Sequence, residues 1–62
     1  MADRLLRAED VADRLQLRVD HIYKLAREER IPHIRFGRTL RFRAEAIDHW
    51  LREQEQDRWP SE

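Results

Sequence analysis

The sequence predicts a mostly α-helical domain with one small β-hairpin, built around a helix-turn-helix. Apolar side chains recur at helical spacing in residues 8–15 and again in residues 19–28, and only three residues separate the two segments. A connection this short prevents an antiparallel pairing, so the two helices must cross at a steep angle. Residues 31–43 then alternate apolar and basic side chains, which predicts two half-buried strands.

Each predicted helix has one apolar face. In residues 8–15 this face consists of Ala8, Val11, Ala12 and Leu15. In residues 19–28 it consists of Ile22, Leu25 and Ala26. Leu17, in the turn between the helices, is expected to point inward as their pivot.

The hairpin is bounded by Pro32, which ends the preceding helix and biases its neighbour towards extended backbone. The apolar residues of its two strands are Ile34 and Phe36, then Leu40 and Phe42. We expect all four to lie on the buried face. Gly37 is the only glycine in the chain and is the natural residue for positive φ in the turn, which it shares with Arg38 and Thr39.

A third helix is predicted for residues 44–56, with a core-facing stripe of Ile47, Trp50 and Leu51. Leu5 and Leu6 are expected to anchor the start of the chain to the core, after a frayed segment at 1–4. The folded domain is therefore predicted to span residues 5–56, followed by a flexible tail at 57–62.

Composition limits the possible classes of protein. The chain has 62 residues and no cysteine, which indicates one domain with a small core and neither a disulfide nor a thiolate metal site. No apolar run is long enough to span a bilayer, and the N-terminus lacks a signal-peptide pattern. We therefore expect a cytoplasmic protein.

Charge is balanced in total but uneven along the sequence. Lysine plus arginine and aspartate plus glutamate each number 13. No acid lies within residues 31–43, whereas residues 45–62 carry six acids and only two arginines. Such a basic patch can attract phosphate on a neutral protein, because screening limits each charge to about 8–10 Å. Alternatively, these arginines only keep an exposed strand edge in solution and prevent its pairing.

The run LLRAEDVADRL, the turn, HIYKLAREERIPHIRFGRTLRFR and AIDHWL together resemble the excisionase-type DNA-binding domain. This domain is a winged helix-turn-helix of the MerR-like group, with three helices and a two-stranded wing. The resemblance spans residue 5 to about residue 54. It implies binding of duplex DNA, and hence association with the nucleoid, as a recombination directionality factor of phages and integrative elements or as a small transcription regulator. It also implies that the second helix enters the major groove, while the wing contacts a minor groove or the backbone.

The sequence departs from that family at two kinds of position. Arg7 and Arg18 stand where members carry a small hydroxyl residue at a helix N-cap, and an arginine cannot accept the capping hydrogen bond. Gln16 and Glu29 stand where members often carry glycine. These departures predict modest stability.

The N-terminal part of a recognition helix lies nearest to the base edges. The candidates there for base or nearby phosphate contacts are Arg18, Asp20, His21 and Lys24. Asp20 either accepts from a cytosine or only favours the helix dipole. Arg27 is expected to contact phosphate, with a merely solvated side chain as the alternative.

In the hairpin we expect Arg35, Arg38 and Arg41 to point away from the apolar face. Arg38 at the tip is the candidate for minor-groove insertion, and Thr39 for a phosphate contact. Arg41 and Arg43 are candidates for backbone contacts, although Arg43 could instead pair with Glu45 or Asp48. The two phenylalanines are expected in the core rather than as base-stacking platforms.

Other chemistry is not expected. His21, His33 and His49 lack metal-ligand spacing, and the chain offers neither a phosphate-binding glycine loop nor a nucleophile–base pair. We therefore predict no enzyme activity, no metal and no cofactor. The possible partners beyond DNA are an integrase or neighbouring copies on adjacent sites. A protein-interaction module that uses the acidic third helix and an exposed Trp59 is the alternative function.

Overall fold

A computed structural model describes residues 5–58, with side chains through residue 55. In chain order its elements are β1 (Leu5–Leu6), α1 (Ala8–Leu15), α2 (Val19–Arg27), β2 (Ile34–Phe36), β3 (Thr39–Arg43) and α3 (Ala44–Arg58). The predicted bounds of α1 are confirmed, α2 ends one residue earlier than predicted, and α3 runs two residues further. The predicted frayed start at 1–4, the remainder of the tail at 59–62 and the exposure of Trp59 lie outside the described residues.

Helix α1 ends at a residue that has left-handed backbone although it is not glycine. Gln16 has φ of 58° and ψ of 45°. The Leu17 amide donates to the Ala12 carbonyl at 2.8 Å, and the Gln16 amide donates to the Asp13 carbonyl at 3.2 Å. These two bonds form a Schellman motif, which turns the chain sharply into the connection with α2.

Helix α2 ends in the same way. Glu29 has φ of 57°, the Arg30 amide donates to the Leu25 carbonyl at 2.8 Å, and the Glu29 amide donates to the Ala26 carbonyl at 3.0 Å. The two sites that the sequence marked as lacking glycine are therefore the two non-glycine residues with positive φ in the described part of the chain.

The helix starts are capped sparingly. Arg7 and Arg18 are both extended N-cap residues, and neither side chain makes a capping hydrogen bond. At α1 the Asp10 carboxylate accepts from the Arg7 amide at 2.9 Å, which is one half of a capping box. The predicted loss of a side-chain cap is confirmed at both helices.

The sheet has three antiparallel strands in the order β1-β3-β2 rather than the predicted two. Leu5 pairs with Arg43 and Leu6 with Phe42. The sequence predicted an anchoring role for this leucine pair but not a strand, because two residues are too few for the alternation that reveals a strand.

The core lies where α1, α2, α3 and β3 meet. Its buried side chains are Ala8, Val11, Ala12, Ile22, Ala26, Ile31, Phe42 and Ile47. Those packed at its margin are Leu6, Leu15, Leu25, Leu40 and Trp50. The predicted apolar faces of the first two helices are thus confirmed.

Two leucines predicted in the core lie on the surface instead. Leu17 is 39% exposed, because backbone hydrogen bonds close the turn without an apolar pivot. Leu51 is 37% exposed, because it stands one turn beyond Ile47 on a helix that outruns the small body of the domain. No described helix is sufficiently long and apolar to cross a membrane.

Two side-chain contacts fix α3 against the helix-turn-helix. Arg14 of α1 forms a 3.1 Å ion pair with Asp48. The Trp50 indole Nε1 donates at 3.0 Å to the carbonyl of Arg30, just after α2. Both ends of the helix pair are therefore held by the same third helix.

Candidate nucleic-acid interface

Helix α2 presents a polar outer face. Ile22 and Ala26 bury one side of it completely. Side chains predicted to contact DNA lie on the exposed remainder: Asp20, His21, Lys24 and Arg27. None of these four is used in the core, so the whole face is available for a ligand.

The N-terminus of α2 carries opposite charges side by side. Arg18 Nε lies 3.7 Å from an Asp20 carboxylate oxygen, and both side chains are largely exposed. A phosphate approaching Arg18 would compete with Asp20 for the guanidinium. The carboxylate also interacts favourably with the positive end of the helix dipole. Asp20 can therefore stabilise α2 in the absence of DNA.

The C-terminal turn of α2 bears Lys24 and Arg27. Cations there interact favourably with the negative end of the helix dipole. These two side chains therefore support the helix whether or not a phosphate is bound.

The wing turns in two residues, Gly37 and Arg38, since Phe36 pairs directly with Thr39. Gly37 has φ of +61°, as predicted, and Arg38 does not have positive φ. Positive φ at only the first of two central residues is the pattern of a type II′ turn, which suits the twist of a hairpin.

This register corrects the predicted faces of the wing. Ile34 lies opposite Arg41, and Arg35 lies opposite Leu40. Directly paired residues share a face, so Ile34 and Phe36 lie on the face opposite to Leu40 and Phe42. A three-residue turn would have placed all four on one face, and the shorter turn reverses β2.

The wing arginines are consequently divided between the two faces rather than gathered on one. Arg35 shares the face of Leu40, whereas Arg41 shares the face of Phe36. Arg35, Arg38 and Thr39 are exposed. Arg38 stands at the tip, where the chain reverses.

Arg41 is half-buried, and its Nη1 donates at 2.8 Å to the carbonyl of Leu40. A guanidinium has five N–H donors, so further donors are left for another acceptor. Arg43 is exposed and pairs with Leu5 of β1 across the sheet.

Phe36 is the residue that sequence reasoning misplaced most. It was expected in the core, yet 54% of it is exposed beside the turn, while Phe42 is fully buried. Loop length is the signal that separates them, because two turn residues rather than three decide which face each phenylalanine occupies.

A family model described as a helix-turn-helix domain matches residues 5–55. The chain belongs to the helix-turn-helix domain family. No curated protein and no solved structure gives a significant match. The family is a DNA-binding one, found in excisionase-like proteins, and the matched range covers every element of the fold from β1 into α3.

In this helix-turn-helix domain, α1, the turn at Gln16 and α2 form the motif itself. The remaining histidines lie apart from it. His49 is exposed and 3.2 Å from Glu53. His33 is half-buried, with Nδ1 2.9 Å from the Ile31 carbonyl. Within residues 5–58 no group of three or more potential ligands is arranged to hold a metal ion.

Proposed function

We propose that the protein binds duplex DNA sequence-specifically as an excisionase-like factor, with a MerR-like winged arrangement. The recognition helix α2 enters the major groove, and the wing lies on the adjacent minor groove or backbone. The observation that carries the proposal is the outer face of α2, which is exposed and polar and is followed in the chain by a hairpin that contains cations but no acid.

The proposed contacts divide into two groups. Base-edge contacts come from the exposed face of α2, through Asp20, His21 and Lys24. Contacts to phosphate or the minor groove come from Arg18, Arg27, Arg35, Arg38, Thr39, Arg41 and Arg43. Phosphate contacts position the protein, and the first group supplies preference among sequences.

A salt titration on random duplex tests the binding. If four or five arginines neutralise phosphates, the logarithm of the binding constant falls with the logarithm of salt concentration at a slope near −4. A slope close to zero contradicts the proposal. It would favour a protein-interaction module on α3, where every described side chain from residue 51 to residue 55 is exposed.

Selection from a random DNA pool tests the excisionase-like role. A domain of this size reads a short site, so neighbouring copies or an integrase on adjacent DNA would extend it. Tandem motifs at fixed spacing support that assembly. A solitary or inverted motif favours the alternative, a small transcription regulator with the same fold.

A further inference from the structure

Phe36 is the most exposed large apolar side chain in the described part of the chain. It is the last residue of β2 and directly precedes the turn of the wing. Phe36 contributes nothing to the buried core, in contrast to Phe42 on the neighbouring strand. Core packing therefore does not account for an aromatic residue at this position.

The surroundings of Phe36 are cationic. Thr39 lies directly across from it, and Arg41 follows on the same face. Arg35 and Arg38 flank it closely in sequence, and residues 30–44 contain no acid. A ligand that covers this ring must offer negative charge to the arginines and an apolar site to the phenyl group.

Duplex DNA has that combination, since each groove is lined by phosphates and floored by stacked bases. Apolar side chains such as Phe and Leu can insert between base steps from the minor groove and partly unstack them. Phe36 also stands at the end of a short edge strand, where the hairpin is narrow enough to approach a groove with its tip.

Resting on the proposed function, we propose that Phe36 is a wedge that enters the minor groove and partly unstacks one base step. The arginines beside it bind the phosphates on either side of that step. The wedge bends the duplex away from the wing and favours pyrimidine–purine steps, which unstack most readily. The domain then reads DNA deformability through the wing as well as base edges through α2.

The test uses the full chain and a duplex selected from a random pool by the wild-type protein. End-to-end fluorescence energy transfer reports the bend, and 2-aminopurine placed along the site reports unstacking. The variants are Phe36→Ala, Phe36→Leu and, as an exposed apolar control on α3, Leu51→Ala. Thermal melts by circular dichroism confirm that each variant folds.

We expect the wild type to bend the duplex by about 20–90° and to brighten 2-aminopurine at one step. Phe36→Ala loses both signals and binds about 5- to 150-fold more weakly, the range for loss of a base-stacked aromatic. Phe36→Leu keeps most of the bend, and Leu51→Ala behaves as wild type.

If folded Phe36→Ala binds and bends DNA like the wild type, the wedge is wrong while the proposed function stands. The same holds if Phe36→Ala changes only self-association in sedimentation, which would assign the ring to a protein contact. If the wild type selects no sequence and binds no duplex, the proposed function fails, and the wedge fails with it.

Discussion

The indole nitrogen of Trp50 donates a 3.0 Å hydrogen bond to the carbonyl of Arg30, twenty residues earlier in the chain. Arg30 is the residue whose amide closes the Schellman motif of α2. The backbone of Arg30 thus closes the end of α2 through its amide and accepts the Trp50 side chain of α3 at its carbonyl. This hydrogen bond links α3 to the end of α2.

Trp50→Phe should keep the aromatic packing and remove the donor. We expect a loss of about 1 kcal/mol in the free energy of unfolding, the net value of one hydrogen bond. Trp50→Ala also loses packing and should cost about 3 kcal/mol or more. Urea unfolding measures both, and equal stabilities of Trp50→Phe and wild type would show that the bond contributes nothing.

Gln16→Gly and Glu29→Gly should each stabilise the domain. A left-handed conformation costs a residue with a Cβ about 1–2 kcal/mol, and glycine's extra chain entropy offsets only part of that gain. We expect roughly 0.5–1 kcal/mol per site. Gln16→Ala is the matched control, since alanine keeps the Cβ. Stabilisation by alanine equal to that by glycine would refute the explanation.

Arg7→Ser and Arg18→Ser should both add a helix cap, because both residues already have the extended backbone of an N-cap. Each should raise the melting temperature through about 1 kcal/mol of helix stabilisation. Only Arg18→Ser should also weaken binding to random duplex, since Arg18 is the proposed phosphate contact. A similar loss of DNA binding in both variants would contradict that assignment.

Arg38→Ala and Lys24→Ala should separate positioning from sequence preference. Arg38→Ala should weaken binding to all duplexes alike and reduce the salt slope by about 1. Lys24→Ala should reduce preference for the selected site by about 1–3 kcal/mol. Fluorescence anisotropy on selected and random duplexes measures both. If each variant lost the same affinity on selected and random duplexes, the proposed division between phosphate contacts and base contacts would be wrong.

The helices were predictable because their apolar residues repeat over two or more turns, and tertiary packing uses that same face. Even the unusual backbone at Gln16 and Glu29 was foreseeable, since these residues replace glycine in a family whose turns need positive φ. The exposed face of α2 followed directly, because whatever does not face the core must face solvent.

The wing was less predictable, because the alternation of side chains in each strand does not determine how the strands are paired. Pairing Phe36 with Thr39 rather than Leu40 moved Ile34 and Phe36 to the other face and separated Arg35 from Arg41. Leu51 shows a different limit. Its helical spacing is correct for a buried stripe, but the domain is too small to cover that much of α3.

The tight reversal at Gly37 and Arg38 also restricts how the wing can vary in length. Adding one residue there would move every side chain of β2 to the opposite face of the hairpin. Phe36 would then face the core, and no aromatic side chain would remain among the arginines at the tip. Adding two residues would return each side chain to its original face and make the wing longer. Relatives whose wing binds DNA in the proposed way should therefore differ in the length of this turn by even numbers of residues.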